Sequence, residues 1–150
     1  MKFRSCFLFL IIAAILLSIN DVHAQNIPKL KYQPNKILED ELGNTHAIKA
    51  GNTLYISGTV ATGEMDEQVK NIMDDIKVTL SKYGASFENV VRQTVYTTDL
   101  DSFMAYKIIL KSYYSGDYPA STFVEVKRLL LPQFKVEVEV TAELPPEGKR

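Results

Sequence analysis

The chain has 150 residues, with 17 Lys and Arg against 18 Asp and Glu, a formal net charge of −1, two histidines and one cysteine. That length suits about one domain, and the even charge balance gives no electrostatic footprint for nucleic acid. One cysteine forms no internal disulfide, and so few histidines and cysteines exclude a zinc cluster or a Cys/His nucleophile.

Lys2 and Arg4, the apolar run Phe7 to Leu17 and the small-residue site Val22-His23-Ala24 have the three parts of a secretory signal peptide. The run is roughly a dozen residues, short of the ~20 needed to span a bilayer, so residues 1–24 are expected to be cleaved off and leave no membrane anchor. Cys6 has no small-residue pattern just before it, which argues against a lipid anchor. Loss of Lys2, Arg4 and Asp21 removes one net positive charge and leaves −2, with His46 the only histidine. The mature protein is expected in the periplasm or secreted. Residues 25–35, with Pro28 and Pro34, and the 145–150 tail read as flexible coil around a single domain at 36–144.

Lys36 to Glu41 and His46 to Lys49 alternate around Gly43-Asn44, which predicts a hairpin. A turn at Ala50-Gly51-Asn52 leads into a strand over 53–57 that Gly58 ends, and 59–64 is a loop. From Asp66, Val69, Ile72, Met73, Ile76, Leu80 and Tyr83 make a stripe of helical period, stopped by Gly84. Val90 to Thr98 is β-branched and reads as a strand. Asp101 is the expected N-cap of a second helix carrying Phe103, Tyr106, Leu110 and Tyr113 on one face. Two strands close the chain, joined by a short turn at Leu131-Pro132-Gln133. In the first, Thr122, Val124 and Val126 oppose Ser121, Phe123, Glu125 and Lys127; in the second, Phe134, Val136, Val138 and Val140 oppose Lys135, Glu137, Glu139 and Thr141. The apolar faces need a cover, so the fold class is α+β, a sheet with helices on one face.

Pro-Ala-Ser-Thr-Phe-Val-Glu-Val at 119–126, followed by Leu131-Pro132 and Val-Glu-Val-Glu at 136–139, resembles the C-terminal signature of the RidA family, also called the YjgF/UK114 family. The resemblance extends back through Lys49-Ala50-Gly51-Asn52-Thr53-Leu54-Tyr55-Ile56-Ser57-Gly58, Thr62-Gly63-Glu64 and Val90 to Leu100, and so covers most of the chain after the leader. It implies a mixed six-stranded sheet with two helices on one face, assembled as a homotrimer with small-molecule clefts between subunits. It also implies hydrolysis of reactive imines and enamines of the 2-aminoacrylate type to keto acids and ammonia, with no cofactor.

Residue by residue, the resemblance assigns Glu137 to the glutamate that positions the attacking water, and Ser57 and Gly58 to the pocket border. It assigns Ser121 to the place of the family arginine that grips the substrate carboxylate. A serine cannot supply that planar fork of two charge-assisted hydrogen bonds. Asn44 stands where an aromatic wall is usual, Phe123 where the residue is small, and Lys107 where asparagine is common. Lys127 shares a strand face with Ser121 but lies about 20 Å away along it, so Lys107 is the better substitute cation.

Without the resemblance, Glu137 and Glu139 read as solubilising strand charges, Lys107 as a solvated helix residue, and the tyrosines as packing. The alternative to a deaminase is a non-catalytic trimeric protein that binds a small metabolite outside the cytoplasm. Ribonuclease activity, part of the family's naming, fits poorly with an acidic chain lacking a basic-aromatic patch.

Overall fold

The structure is a computed structural model that describes residues 26–145; the expected signal peptide and most of the tail lie outside them. Its elements are β1 (Lys29–Tyr32), α1 (Lys36–Leu42), β2 (Ala47–Ala50), β3 (Thr53–Val60), α2 (Met65–Lys82), β4 (Val90–Thr97), α3 (Leu100–Lys111), β5 (Ala120–Glu125) and β6 (Val136–Glu143). The strands form one six-stranded sheet in the order β1-β2-β3-β6-β4-β5. All neighbours are antiparallel except β4 and β5, which α3 joins as a parallel pair.

The core lies between one face of the sheet and the two long helices. Val69, Ile72, Met73, Ile76 and Leu80 of α2 are fully buried, and they meet Leu54, Ile56, Val95, Val136, Val138 and Val140 from the central strands. Phe103 and Leu110 bring α3 onto the same core. The helix-covered face is therefore legible as periodicity. Among the described residues no helix covers the opposite face of the sheet, and there the register aligns Arg92 with Thr141, Thr94 with Glu139 and Tyr96 with Glu137.

Several expectations are corrected. Residues 36–42 are helix rather than a hairpin arm, because the Asn35 side chain caps the Leu38 N–H at 3.3 Å and Gly43 closes the C-terminus at a φ of 70°. Glu39 then ties the helix down, accepting from the His46 N–H at 2.8 Å and the Asn35 N–H at 3.0 Å. Within the expected coil of 25–35, residues 29–32 add an edge strand held through its backbone to β2. β3 continues past Gly58 to Val60, with a register shift between Ile56 and Thr59. Asp99, not Asp101, caps α3, accepting from the Ser102 N–H at 2.9 Å.

The closing strands are not a hairpin. β6 inserts between β3 and β4, while β5 sits beyond β4 at the sheet edge, so residues 126–135 cross from one side of β4 to the other. All six residues of β5 are exposed.

Candidate functional site

Ser57 and Gly58 occupy the register shift of β3, where the strand bulges toward the preceding loop. The Ser57 N–H donates to the His46 carbonyl at 2.9 Å and its hydroxyl to the Thr45 carbonyl at 2.7 Å, which holds the loop carrying Asn44 beside the bulge. Asn44 itself is exposed, its N–H bonded to the Glu39 carbonyl. A β-carbon on Gly58 would lie 2.6 Å from Cδ and 2.9 Å from Cγ of Glu137, so the glycine is what lets the carboxylate lie across β3.

Glu137 is half-buried on the open face of β6. Burial is the main cause that pushes its carboxyl above the usual range, and the neighbouring Glu139 charge adds to it. Among the described residues no hydrogen-bond donor reaches Glu137, whereas Glu139 accepts from the Tyr96 hydroxyl at 3.3 Å. A cleft of about 580 Å³ is lined by Glu137, Glu139, Tyr96, Val126, Leu129, Leu130 and Arg128. A partly desolvated carboxyl, easily protonated and unoccupied by other donors, can take and return a proton.

Ser121, Phe123 and Lys107 lie elsewhere. The β4–β5 register aligns Ser121 with Gln93 and Phe123 with Val95, which places both on the helix-covered side, opposite Glu137. The Ser121 hydroxyl accepts from Gln93 Nε2 at 2.9 Å and donates to the Pro119 carbonyl at 2.9 Å, and Gln93 in turn accepts from the Tyr114 hydroxyl. Phe123 packs at a tilt on Phe103 with ring centroids 5.8 Å apart. Lys107 lies one turn beyond Phe103 on α3, exposed near the same edge. One chain thus carries two groups: Asn44, Ser57, Gly58 and Glu137 toward the open face, and Lys107, Ser121 and Phe123 at the β5 edge.

Arg128 is a residue that sequence reasoning misses. It lines the Glu137 cleft from a segment that reads as the approach to a tight turn, and no motif or periodicity marks it there. Among the described residues no group of three or more His, Cys, Asp or Glu is placed to hold a metal ion. No helix among them is long and apolar enough to cross a membrane.

The mixed six-stranded sheet, backed by helices on one face, is the architecture of the YjgF/RidA proteins. Residues 40–144 match the family model described as Endoribonuclease L-PSP, and the chain belongs to that family. A RutC family protein of Pyrococcus abyssi is 34% identical over 94 residues, 57% of this chain and 74% of its own. The mouse protein named 2-iminobutanoate/2-iminopropanoate deaminase is 30% identical over 107 residues, 65% of this chain and 78% of its own. The structure of RidA from an Antarctic Psychrobacter superposes with a TM-score of 0.63 at 29% identity, covering 67% of this chain and 87% of that one. A Mycobacterium tuberculosis member of the YjgF/YER057c/UK114 family reaches a TM-score of 0.73 at 24% identity, covering 78% and 100%, and bears on the fold alone.

The close approach of Gly58 to Glu137 gives a first test. Gly58 does not need the left-handed region, so Gly58→Ala should leave the melting temperature within a few degrees. The added methyl displaces the Glu137 side chain, and any ligand affinity or turnover that depends on it should fall by about tenfold to a hundredfold, by analogy with other small misplacements. Unchanged function in a folded Gly58→Ala protein would show that the carboxylate position is unimportant.

Proposed function

We propose that the protein binds a small carboxylate-bearing molecule of the imino- or amino-acid kind in a cleft completed between copies of the chain, and hydrolyses imines and enamines only poorly. The placement of Ser121 carries this reading. Its hydroxyl is committed to Gln93 and Pro119 on the helix-covered side, and a serine has no fork to grip a carboxylate. Glu137 supplies the remaining chemistry: it takes a proton from water as the oxygen adds to the C=N carbon and returns it to nitrogen to give a carbinolamine, then takes the carbinolamine hydroxyl proton and passes it to nitrogen as the C=O bond forms, the C–N bond breaks and ammonia leaves.

Two observations support assembly. The groups around Glu137 and Ser121 lie on opposite faces of one sheet, so they can share a ligand only if different copies contribute them. The β5 edge is fully exposed and presents Phe123 and Val124, a surface that a neighbouring copy would cover. Repetition of such a contact closes a ring, and a homotrimer is the assembly proposed; a sizing measurement by light scattering checks it. Export belongs to the same reading: the mature protein, taken from the extracytoplasmic fraction, should begin at Gln25.

Imines generated from amino acids by an oxidase provide the activity test, with keto-acid release followed over the spontaneous rate. The wild-type protein should barely exceed that rate, and Ser121→Arg should raise turnover at least about tenfold by restoring a bidentate anchor. Robust wild-type turnover would overturn the reading. Silence in both proteins would favour a purely binding role, which the bulk of Phe123 against Phe103 also favours by narrowing the space beside position 121.

A further inference from the structure

Two short helix faces expose apolar side chains in clusters rather than singly. On α1, Glu39 is buried and fastened to the Asn35 and His46 N–H groups. The outward side of that helix therefore carries Ile37, 84% exposed, with Glu41 one turn on and Leu38 and Leu42 beside them. On α3, Phe103 and Leu110 are the buried side chains, and the outward side carries Met104 and Ile108 at a spacing of four, with Lys107 and Lys111 at the same spacing alongside. Among the described residues nothing covers either face.

The two faces are opposite in charge. α1 carries Glu39, Asp40 and Glu41 against Lys36; Lys36 pairs with Asp40, and Glu41 has no ion pair among the described residues. From Met104 to Lys111, α3 has two lysines and no acid. Lys111 lies over the Tyr118 ring, while Lys107 has no ion pair among those residues. An acid-rimmed apolar face and a base-rimmed one complement each other, yet they do not meet within one chain. α1 joins β1 to β2 and α3 joins β4 to β5, at opposite ends of the sheet, and β2 and β5 are four strand spacings apart, roughly 20 Å.

We propose that α1 of one copy seats on the outward face of α3 of the next, with Ile37, Leu38 and Leu42 against Met104 and Ile108 and with Glu41 beside Lys107. Contact between two different patches is heterologous, so each copy uses α1 on one neighbour and α3 on another, and the series closes into a ring. The helix faces are only part of the roughly 800 Å² per partner that a stable interface needs. The exposed β5 edge, where Phe123 rests on Phe103 of α3, continues the surface. Gly43 ends α1 and Asn44 follows it, so the contact carries the Asn44 loop of one copy toward Lys107 and Phe123 of the next. It thereby joins the two groups of site residues that a single chain keeps apart. This contact presupposes the assembly proposed above, not its chemistry, and stands if no imine is hydrolysed.

Cross-linking of the full chain tests the contact. Cys6→Ser removes the only cysteine, and Ile37→Cys and Ile108→Cys replace exposed side chains, so neither should disturb folding. Under mild oxidation the chain carrying both substitutions should give a ladder ending at covalent trimers on a non-reducing gel. Each single variant should stay monomeric there, and the two singles expressed together should stop at dimers. Glu41→Lys and Lys107→Glu should each weaken assembly at least about threefold in a light-scattering dilution series at low salt, and the two together should restore it, because the pair is then inverted rather than lost. Cross-linking of Ile37→Cys alone would mean that two α1 helices meet each other, and would overturn the contact. A multimeric wild type in which neither this pair nor Leu38→Cys with Met104→Cys cross-links would overturn the contact and leave the assembly standing, whereas a monomeric wild type would overturn both.

Discussion

Gln68→Leu should melt roughly 10 °C below the wild-type protein, a loss of about 3 kcal/mol for a domain of this size. The side chain is fully buried at the start of α2, and all its hydrogen-bonding capacity is used. Its amide nitrogen donates to the Gly63 carbonyl at 2.8 Å and the Gln133 carbonyl at 2.9 Å, and its oxygen accepts from the Lys135 N–H at 2.8 Å and the Val136 N–H at 3.4 Å. Leucine fills the same space but leaves those backbone groups unpaired, and the Val136 N–H has no route to water. Gln68→Glu should fare little better, since it keeps the acceptor but turns carboxylate oxygen toward carbonyl oxygens where two donors stood. The Lys135–Glu64 ion pair nearby is exposed and contributes little by comparison. Because Glu137 follows this anchor by one residue on β6, ligand affinity should weaken in parallel with thermal stability. Melts within about 2 °C of each other would mean that the crossover into β6 is held by something else.

In the sequence Gln68 is only a polar residue beside the α2 stripe, and the reason its role is hidden applies more widely. Periodicity marks faces, so Val69 to Leu80 on α2 and Val136, Val138 and Val140 on β6 are legible from the order of residues alone. It does not mark neighbours. Thr122 and Val124 alternate with Ser121 and Phe123 as expected, yet β5 pairs with β4 and leaves its apolar residues exposed, because alternation cannot say which strand lies alongside. α1 is illegible for a related reason: Ile37, Leu38 and Leu42 are all exposed, so no buried stripe imposes a helical period, and the Asn35 cap and the Glu39 tie to His46 decide the conformation. In the candidate site, Ser57, Gly58 and Glu137 come from motif resemblance. Arg92, Thr94 and Tyr96 on β4 and Glu137, Glu139 and Thr141 on β6 each form a polar parity opposite the core. Recognising these as one continuous face requires the antiparallel register, which the sequence does not state.

Glu137→Gln should separate stability from function in opposite directions. In the folded protein burial and Glu139 raise the Glu137 carboxyl above its unfolded value, so over the interval between the two values the folded state holds a proton that the unfolded state has lost. The native state is then favoured toward low pH and loses stability as pH rises through the folded value. Glutamine carries no charge to desolvate. The variant should therefore melt above the wild type near pH 7, and the difference should shrink to nothing below about pH 4, where both forms of the wild-type carboxyl are protonated. Function should go the other way: in whichever of the wild-type and Ser121→Arg proteins releases keto acid, Glu137→Gln should cut turnover by about a hundredfold, the usual scale for a lost acid–base group. A variant that melts below the wild type at neutral pH would show that the carboxylate is stabilised by a partner rather than strained by burial. A variant that melts higher but keeps full turnover would place the proton transfer on another group of the same cleft, of which Glu139, bonded to Tyr96, is the next in reach.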